Sequence, residues 1–175
     1  MKKTIRDIDW SDKTAVVRCD FNVPLVNGKI SDDTRIVAAL PTINYLRDNG
    51  AKVVILSHLG RPKGEPNDDF SLYPVAERLS ERLGAHVNFI KSDLVVDNKV
   101  SEAVKNLALS EVALLENVRY RSEETKNDPT FARELASLGD VFVQEAFGTA
   151  HRAHASTTGI ADYIPAVSGF LIEKE

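Results

Sequence analysis

Cysteine, methionine and tryptophan each occur once in the 175 residues. A single thiol excludes an internal disulfide framework and any zinc site built on several cysteines. No apolar run approaches the ~20 residues that a membrane-spanning helix needs. The first ten residues, Met1 to Trp10, are polar and charged and lack the apolar stretch of a signal peptide. Nine glycines and seven prolines are ordinary usage, which excludes a collagen-like or disordered chain. The formal charge of −4, from 22 basic and 26 acidic residues, argues against wholesale coating of nucleic acid and leaves room only for a local basic patch. GxxxxGK[ST], GxGxxG and GxSxG are all absent, so the chain carries no P-loop, no dinucleotide fingerprint and no nucleophile elbow. The expectation is one soluble, cytoplasmic globular domain, long enough to bury roughly 70% of its unfolded surface.

What is present is an alternation. Short apolar runs at Thr14–Val17, Lys52–Ser57, His86–Ile90, Val112–Leu115 and Val141–Val143 read as strands, and Ala166–Phe170 reads as a sixth strand or the start of a hinge. Helical spacing fills Asp32–Asn49, Leu72–Leu83, Asp97–Leu107 and Asp128–Leu138 between them. Ser31 is placed to cap the first helix, Gly50, Gly84 and Gly139 follow helix ends, and Pro41 should kink the helix that contains it. Gly60, Pro62, Gly64 and Pro66 punctuate a long loop, Leu59 to Ser71. Strands separated by helices require right-handed crossovers. The fold expected is therefore a three-layer α/β/α, Rossmann-like domain with a six-stranded parallel sheet.

In such sheets ligands bind beyond the carboxyl ends of the strands. The residues falling there are Asp20 and Asn22 in RCDFNVP, and His58, Arg61 and Lys63 in SHLGRPKG. Arg119 and Arg121 follow in LLENVRYR, and His151, Arg152 and His154 in FGTAHRAHAS. Arg35, in the first turn of the first helix, shares that rim. Arginine offers planar forks that match carboxylate and phosphate oxygens. The chemistry indicated is a small polyanion site. Plainer readings exist for each residue. Asp20 and Asn22 can serve as turn-formers before Pro24, and Arg35 can pair on the surface with Asp32 and Asp33. Cys19 reads as a buried thiol, His86 as structural, and Glu123, Glu124 and Lys126 as a solvated face. His151 and His154 have helical i, i+3 spacing, but no third metal ligand is marked, so no metal is expected.

RCDFNVP, DDTRIVAALPTI, SHLGRPKG, LLENVRYR and AFGTAHRAHAS, in this order, resemble the N-terminal domain of the phosphoglycerate kinase family, over essentially the whole chain. The resemblance implies a domain that binds 3-phosphoglycerate or 1,3-bisphosphoglycerate, as half of a two-domain phosphotransferase of glycolysis. It implies Arg35 as the catalytic arginine. It implies Asp20, Asn22, Arg35, His58, Leu59, Gly60, Arg61, Arg119, His151, Arg152 and His154 as substrate-binding residues. No cofactor is expected on this domain, because Mg-ATP or Mg-ADP belongs to a C-terminal nucleotide domain, here expected to be absent. The chain alone should then be inactive. The partners implied are the substrate and that second domain, with no nucleic acid or membrane, and a monomeric complete enzyme.

Two departures from the family pattern stand out. Gln144-Glu145 replaces a usual Asn-Asp pair, lengthening each side chain by a methylene. Tyr120 replaces a commoner Phe and adds a hydroxyl that needs a partner. A stand-alone anion sensor or receiver-like signalling module is the alternative function. Asp20 with the acidic pair Asp32 and Asp33 mimics part of a receiver, although no lysine follows the fifth strand. A nucleic-acid binder is disfavoured by the lack of exposed aromatics interleaved with the cations.

Overall fold

The computed structural model describes residues 3–146, 149 and 152–174. Six strands form one wholly parallel sheet: β1 (Thr14–Arg18), β4 (Lys52–Leu56), β5 (Val87–Ile90), β6 (Val112–Leu115), β7 (Val141–Gln144) and β8 (Ala166–Ser168). Their spatial order is β5-β6-β4-β1-β7-β8. A two-stranded antiparallel hairpin, β2 (Leu25–Val26) with β3 (Lys29–Ile30), stands apart from the sheet. The helices are α1 (Thr34–Asp48), α2 (Tyr73–Leu83), α3 (Asn98–Lys105), α4 (Ser122–Thr125), α5 (Pro129–Ala136) and α6 (Phe170–Glu173). Among the described residues no helix is long and apolar enough to cross a membrane.

The central strands are apolar at successive positions because both faces are covered. Along β1, Ala15 and Val17 enter one core with Ile36, Ile43 and Leu79 of α1 and α2. Val16 enters the other, with Val100 of α3 and Phe131 and Leu135 of α5. Burying a side chain of this size stabilises the fold by about 1.5–3 kcal/mol. The expected six-stranded α/β/α arrangement is thus present.

Helix ends follow local chemistry. Asp97 and Asp128 cap α3 and α5, accepting from Val100 N at 2.9 Å and Phe131 N at 3.0 Å. Gly84 ends α2 in the left-handed region at φ 67°. Ser31 does not cap α1, contrary to expectation; Asp33 occupies that position. Ser31 instead closes the hairpin, donating from its N–H to Pro24 O at 3.0 Å. The hairpin itself was not expected, although Asn27-Gly28, both at positive φ, is the pair that a tight two-residue turn selects. Helix α1 runs unbroken through Pro41. That proline lies on the exposed side, where the carbonyl of the exposed Val37 has solvent in place of the missing N–H.

The sheet order reverses at β1. Successive connections lead first to β4 and its outer neighbours, and later to β7 and β8 on the other side. A switch point of this kind opens a crevice beyond the carboxyl ends of the strands.

Candidate functional site

The loops that leave β1, β4 and β6 are bound to one another before any ligand arrives. Ser57 Oγ accepts from Phe21 N at 2.9 Å, and Ser57 O accepts from Val118 N at 3.1 Å. Buried Asn117 donates to Leu59 O at 2.7 Å and Phe70 O at 2.9 Å, and accepts from Arg119 N at 3.0 Å. Asn22 Oδ1 accepts from Gly60 N at 2.8 Å. Gly60 has φ 60°, and a Cβ there would lie 2.4 Å from the Phe70 ring, so the turn admits only glycine.

These loops surround a cavity of about 250 Å³. The β1 loop contributes Asp20 and Asn22, α1 contributes Arg35, and the β4 loop contributes His58, Gly60 and Arg61. Arg119 arrives from beyond β6, and Thr149 and Arg152 from beyond β7. A larger groove, about 960 Å³, runs along the edge strand β5 between α2 and α3, but it carries no comparable group of cations. Leu59 is buried behind the cavity, with its carbonyl held by Asn117. His154 lines a neighbouring pocket, and His151 lies outside the described residues.

Four guanidinium groups face one carboxylate across this space. Arg35 Nη1 donates to Asp20 Oδ1 at 3.1 Å and to Asn22 O at 2.9 Å, with about half its side chain exposed. Asp32 and Asp33 do not join Asp20, so the acidic cluster of a receiver is not assembled. Asp32 accepts from Thr34 N and Oγ1, while Asp33 binds Arg78 and Arg82 at 3.0 and 2.7 Å. Arg119 makes one long contact, 3.5 Å to Gly60 O, and its buried Nε has no partner among the described residues. A buried donor without an acceptor is costly, and an anion in the cavity would satisfy it.

His58 is almost fully buried, with Nδ1 3.0 Å from Arg18 Nη2. Burial first, then the positive charges of Arg18, Arg119, Arg152 and His154, push its pKa down to about 2. The ring is neutral at working pH. A guanidinium can only donate, so Nδ1 is the acceptor and the ring proton sits on Nε2. His58 is thereby fixed as a hydrogen-bond donor on the cavity wall.

Arg18 escaped the sequence reading because it closes a strand otherwise made of core residues. Its side chain is completely buried. Nε donates to Ser156 Oγ at 2.7 Å, and Nη1 donates to Cys19 O. Glu124 also escaped, since it follows Glu123 in a run of polar residues. Instead of forming a solvated face, Glu124 is fully buried and accepts from Ser156 N at 2.9 Å and Ser156 Oγ at 2.6 Å. Glu123 pairs with Arg121 at 2.9 Å, and that guanidinium holds its carboxyl down to about 2. Lys126 remains exposed. It lines the neighbouring pocket of about 390 Å³ with Lys63 and His154, and Arg61, Arg119 and Arg152 are shared between the two cavities.

Both family departures find a structural answer. Tyr120 donates its hydroxyl to Asn67 O at 2.6 Å, and burial raises its pKa. Gln144 bridges its own loop, donating to Thr157 O at 3.0 Å and accepting from Ala146 N at 2.9 Å. Glu145 turns toward α6, where Oε1 accepts from Leu171 N at 3.0 Å, and its buried Oε2 has no partner among the described residues. Burial pushes its pKa up to about 7, against the hydrogen bonds from Thr42 and Leu171.

Fold and site together define a Rossmann-like α/β domain with a cation-lined cavity at its switch point. Comparison narrows the class. The family model described as phosphoglycerate kinase matches residues 5–175, and the chain belongs to the phosphoglycerate kinase family. It is 58% identical over 173 residues to the phosphoglycerate kinase of Borrelia hermsii, covering 99% of this chain and 44% of that relative. The Clostridium kluyveri enzyme is 57% identical over 175 residues, again with 44% of its length covered. Solved phosphoglycerate kinase structures from Coxiella burnetii and Pyrococcus horikoshii OT3 superpose with TM-scores of 0.88 and 0.89, at 40% and 38% identity. They cover 99% and 98% of this chain but 43% of each structure. The chain therefore spans less than half the length of the relatives it matches.

Proposed function

We propose that residues 1–175 form the N-terminal substrate domain of a phosphoglycerate kinase, which binds 3-phosphoglycerate or 1,3-bisphosphoglycerate in the cavity at the β1 switch point. The observation that carries this reading is the convergence of Arg35, Arg61, Arg119 and Arg152 with His58 and Asn22 on one small cavity. A ligand carrying a carboxylate and a phosphate supplies acceptors for these donors, including the unpartnered Arg119 Nε. Mg-ATP or Mg-ADP is held by a second domain, as the length of the relatives supports, and this chain alone does not turn over. In the joined enzyme a carboxylate oxygen of 3-phosphoglycerate attacks the γ-phosphorus of ATP. A new C–O–P linkage forms, the bond to the β-phosphate oxygen breaks, and ADP leaves with the electron pair. No covalent enzyme intermediate is needed, so positioning and charge stabilisation carry the catalysis. Arg35, half exposed and held by Asp20 and Asn22 O, stabilises the transferring phosphoryl group. His151 and His154 complete the phosphate and carboxylate contacts. The complete enzyme is a monomer of the cytoplasm.

The test is calorimetric titration of the chain with 3-phosphoglycerate, and turnover in a full-length or complemented enzyme. Saturable 1:1 binding that weakens with salt is expected, because charge pairs at an open site are screened over ~8–10 Å. Arg35→Ala should keep most of the ground-state binding and lower turnover. Absence of binding would overturn the substrate assignment, and wild-type turnover in Arg35→Ala would remove Arg35 from catalysis.

A further inference from the structure

Behind the cavity wall lies a buried chain of polar groups that none of the cavity-lining residues accounts for. Glu124 is held from both sides by the turn after β7: its side chain accepts from Ser156 N and Oγ, and its carbonyl accepts from Ala155 N at 2.9 Å. Ser156 Oγ, while donating to Glu124, accepts from Arg18 Nε at 2.7 Å. Arg18 in turn donates to His58 Nδ1 at 3.0 Å. Three hydrogen bonds thus connect a buried carboxylate to the ring that faces the ligand. The carboxylate also lies 4.0 Å from Arg18 Nη2 and 4.0 Å from the buried Nδ1 of His154.

We propose that Glu124 is a positioning residue of the anion site, acting through Ser156 on Arg18 and directly through its charge on His154. The physical need is plain. Arg18 and Glu124 are both wholly buried, and a buried cation without a nearby opposite charge is expensive. Deletion of the negative charge leaves Asp20 as the next negative group acting on the buried Arg18, and the guanidinium loses the hydroxyl orientation that fixes it. His58 then loses the donor that fixes its tautomer, and the cavity loses a placed Nε2–H. The proposal deepens the substrate reading above and rests on it for the ligand, but the state of His154 can be read without any ligand.

His154 supplies that readout. Burial lowers its pKa, Glu124 raises it, and Arg119, Arg18 and Arg152 lower it further. His58 faces it from the β4 loop as a neutral ring, and Arg61, Lys63 and Lys126 line the same pocket. Among the described residues, Glu124 is the one carboxylate within 4.0 Å of the ring.

The experiment follows the imidazole signals of the ligand-free chain by NMR across pH, in wild type, Glu124→Gln and Glu124→Asp, beside titrations with 3-phosphoglycerate. Glu124→Gln should lower the His154 midpoint by about 1 pH unit or more, the usual scale for losing a close opposite charge. Glu124→Asp should restore the midpoint toward wild type. Affinity for 3-phosphoglycerate should fall about tenfold in Glu124→Gln and about fivefold in Ser156→Ala, the range for hydrogen bonds to charged groups and neutral ones. Ser156→Ala should leave the His154 midpoint near its wild-type value, because the Glu124 charge remains. A folded Glu124→Gln chain with an unmoved His154 midpoint overturns the proposal, as does unchanged affinity in Ser156→Ala. If Glu124→Gln does not fold, Ser156→Ala decides alone. If the wild type fails to bind 3-phosphoglycerate, the substrate reading falls while the His154 shift still decides the role of Glu124.

Discussion

Two buried glutamates at the carboxyl edge of the sheet are accommodated in opposite ways. Glu124 sits among Ser156, Arg18 and His154, with donors on both oxygens and positive charge at 4.0 Å. Glu145, beyond the end of β7, accepts from Leu171 N through one oxygen and has no described partner for the other. Among the described residues no cation contributes to its environment, and its pKa rises to about 7. The first carboxylate belongs to the polar cluster behind the cation-lined cavity. The second sits where the chain turns into α6, against Gly169, and its proton takes the place of an absent cation. Burial alone therefore does not tell a charged site from a neutral one; the partners do.

The largest effect should come from taking the partner away from the matched carboxylate. Arg18→Met leaves Glu124 buried without its cation and His58 Nδ1 without its donor. A loss of about 3–5 kcal/mol is expected in urea unfolding, the cost of breaking a buried pair by removing one member. A loss under 1 kcal/mol would mean that the two charges do not depend on each other.

Next comes the unmatched carboxylate. Glu145 titrates at about 7 in the folded chain and at its ordinary 4.5 when exposed. Between these values the native state holds a proton that the unfolded chain has lost. The stability owed to the neutral carboxyl is complete below about pH 4.5 and drains away as pH rises through 7. Glu145→Gln, neutral at every pH, should therefore be more stable than wild type at pH 8, by on the order of 3 kcal/mol. The two proteins should converge near pH 4. Unfolding curves that keep the same spacing at both pH values would contradict this.

Arg152 tests a charge that belongs to the cavity but not to the core. It is exposed, so Arg152→Ala should barely change stability. It should weaken 3-phosphoglycerate binding by about 1.5–3 kcal/mol, the range for hydrogen bonds to charged groups. Unchanged affinity would detach the turn beyond β7 from the site. The smallest effect belongs to Glu173, which pairs with Arg6 at the surface with both side chains partly exposed. Glu173→Gln should cost under about 1 kcal/mol, as solvated pairs do. A larger loss would show that exposure does not set the scale separating these glutamates.

The sheet was readable in advance because its strands are apolar on both faces and its helices end at Gly84 and begin at Asp97 and Asp128. Each is a local signal with a local cause. The order β5-β6-β4-β1-β7-β8 was not readable, since every central strand presents the same apolar pattern and pairing is decided by contacts distant in sequence. The short hairpin at Asn27-Gly28 carried a legible turn signal that lay hidden between two-residue strands too brief to show alternation. Most of the cavity lining was legible, because Asp20, Asn22, His58, Gly60, Arg61, Arg119 and Arg152 follow strand ends, Arg35 opens the first helix, and all stand in family motifs. Thr149 lies inside FGTAHRAHAS but is too common a residue to stand out. Arg18 and Ser156 open and close the motifs RCDFNVP and FGTAHRAHAS, but a motif does not separate a cavity-lining residue from one buried behind it, and Glu124 lies outside the motifs altogether. A charged residue in a strand or a polar turn looks solvated until the tertiary structure shows what covers it.

The lone indole offers a use of its own. Trp10 is buried, lies outside the lining of the cation-rich cavity, and donates its indole N–H to Ile5 O at 2.8 Å. The same corner is joined to β8, where Ser168 N donates to Lys3 O at 3.0 Å and Thr4 bridges Ser168. Its emission therefore watches the seam where the first residues meet the last strand. Ligand titrations should be spectrally silent there, while loosening of that seam should shift the fluorescence to the red before the far-ultraviolet circular dichroism declines.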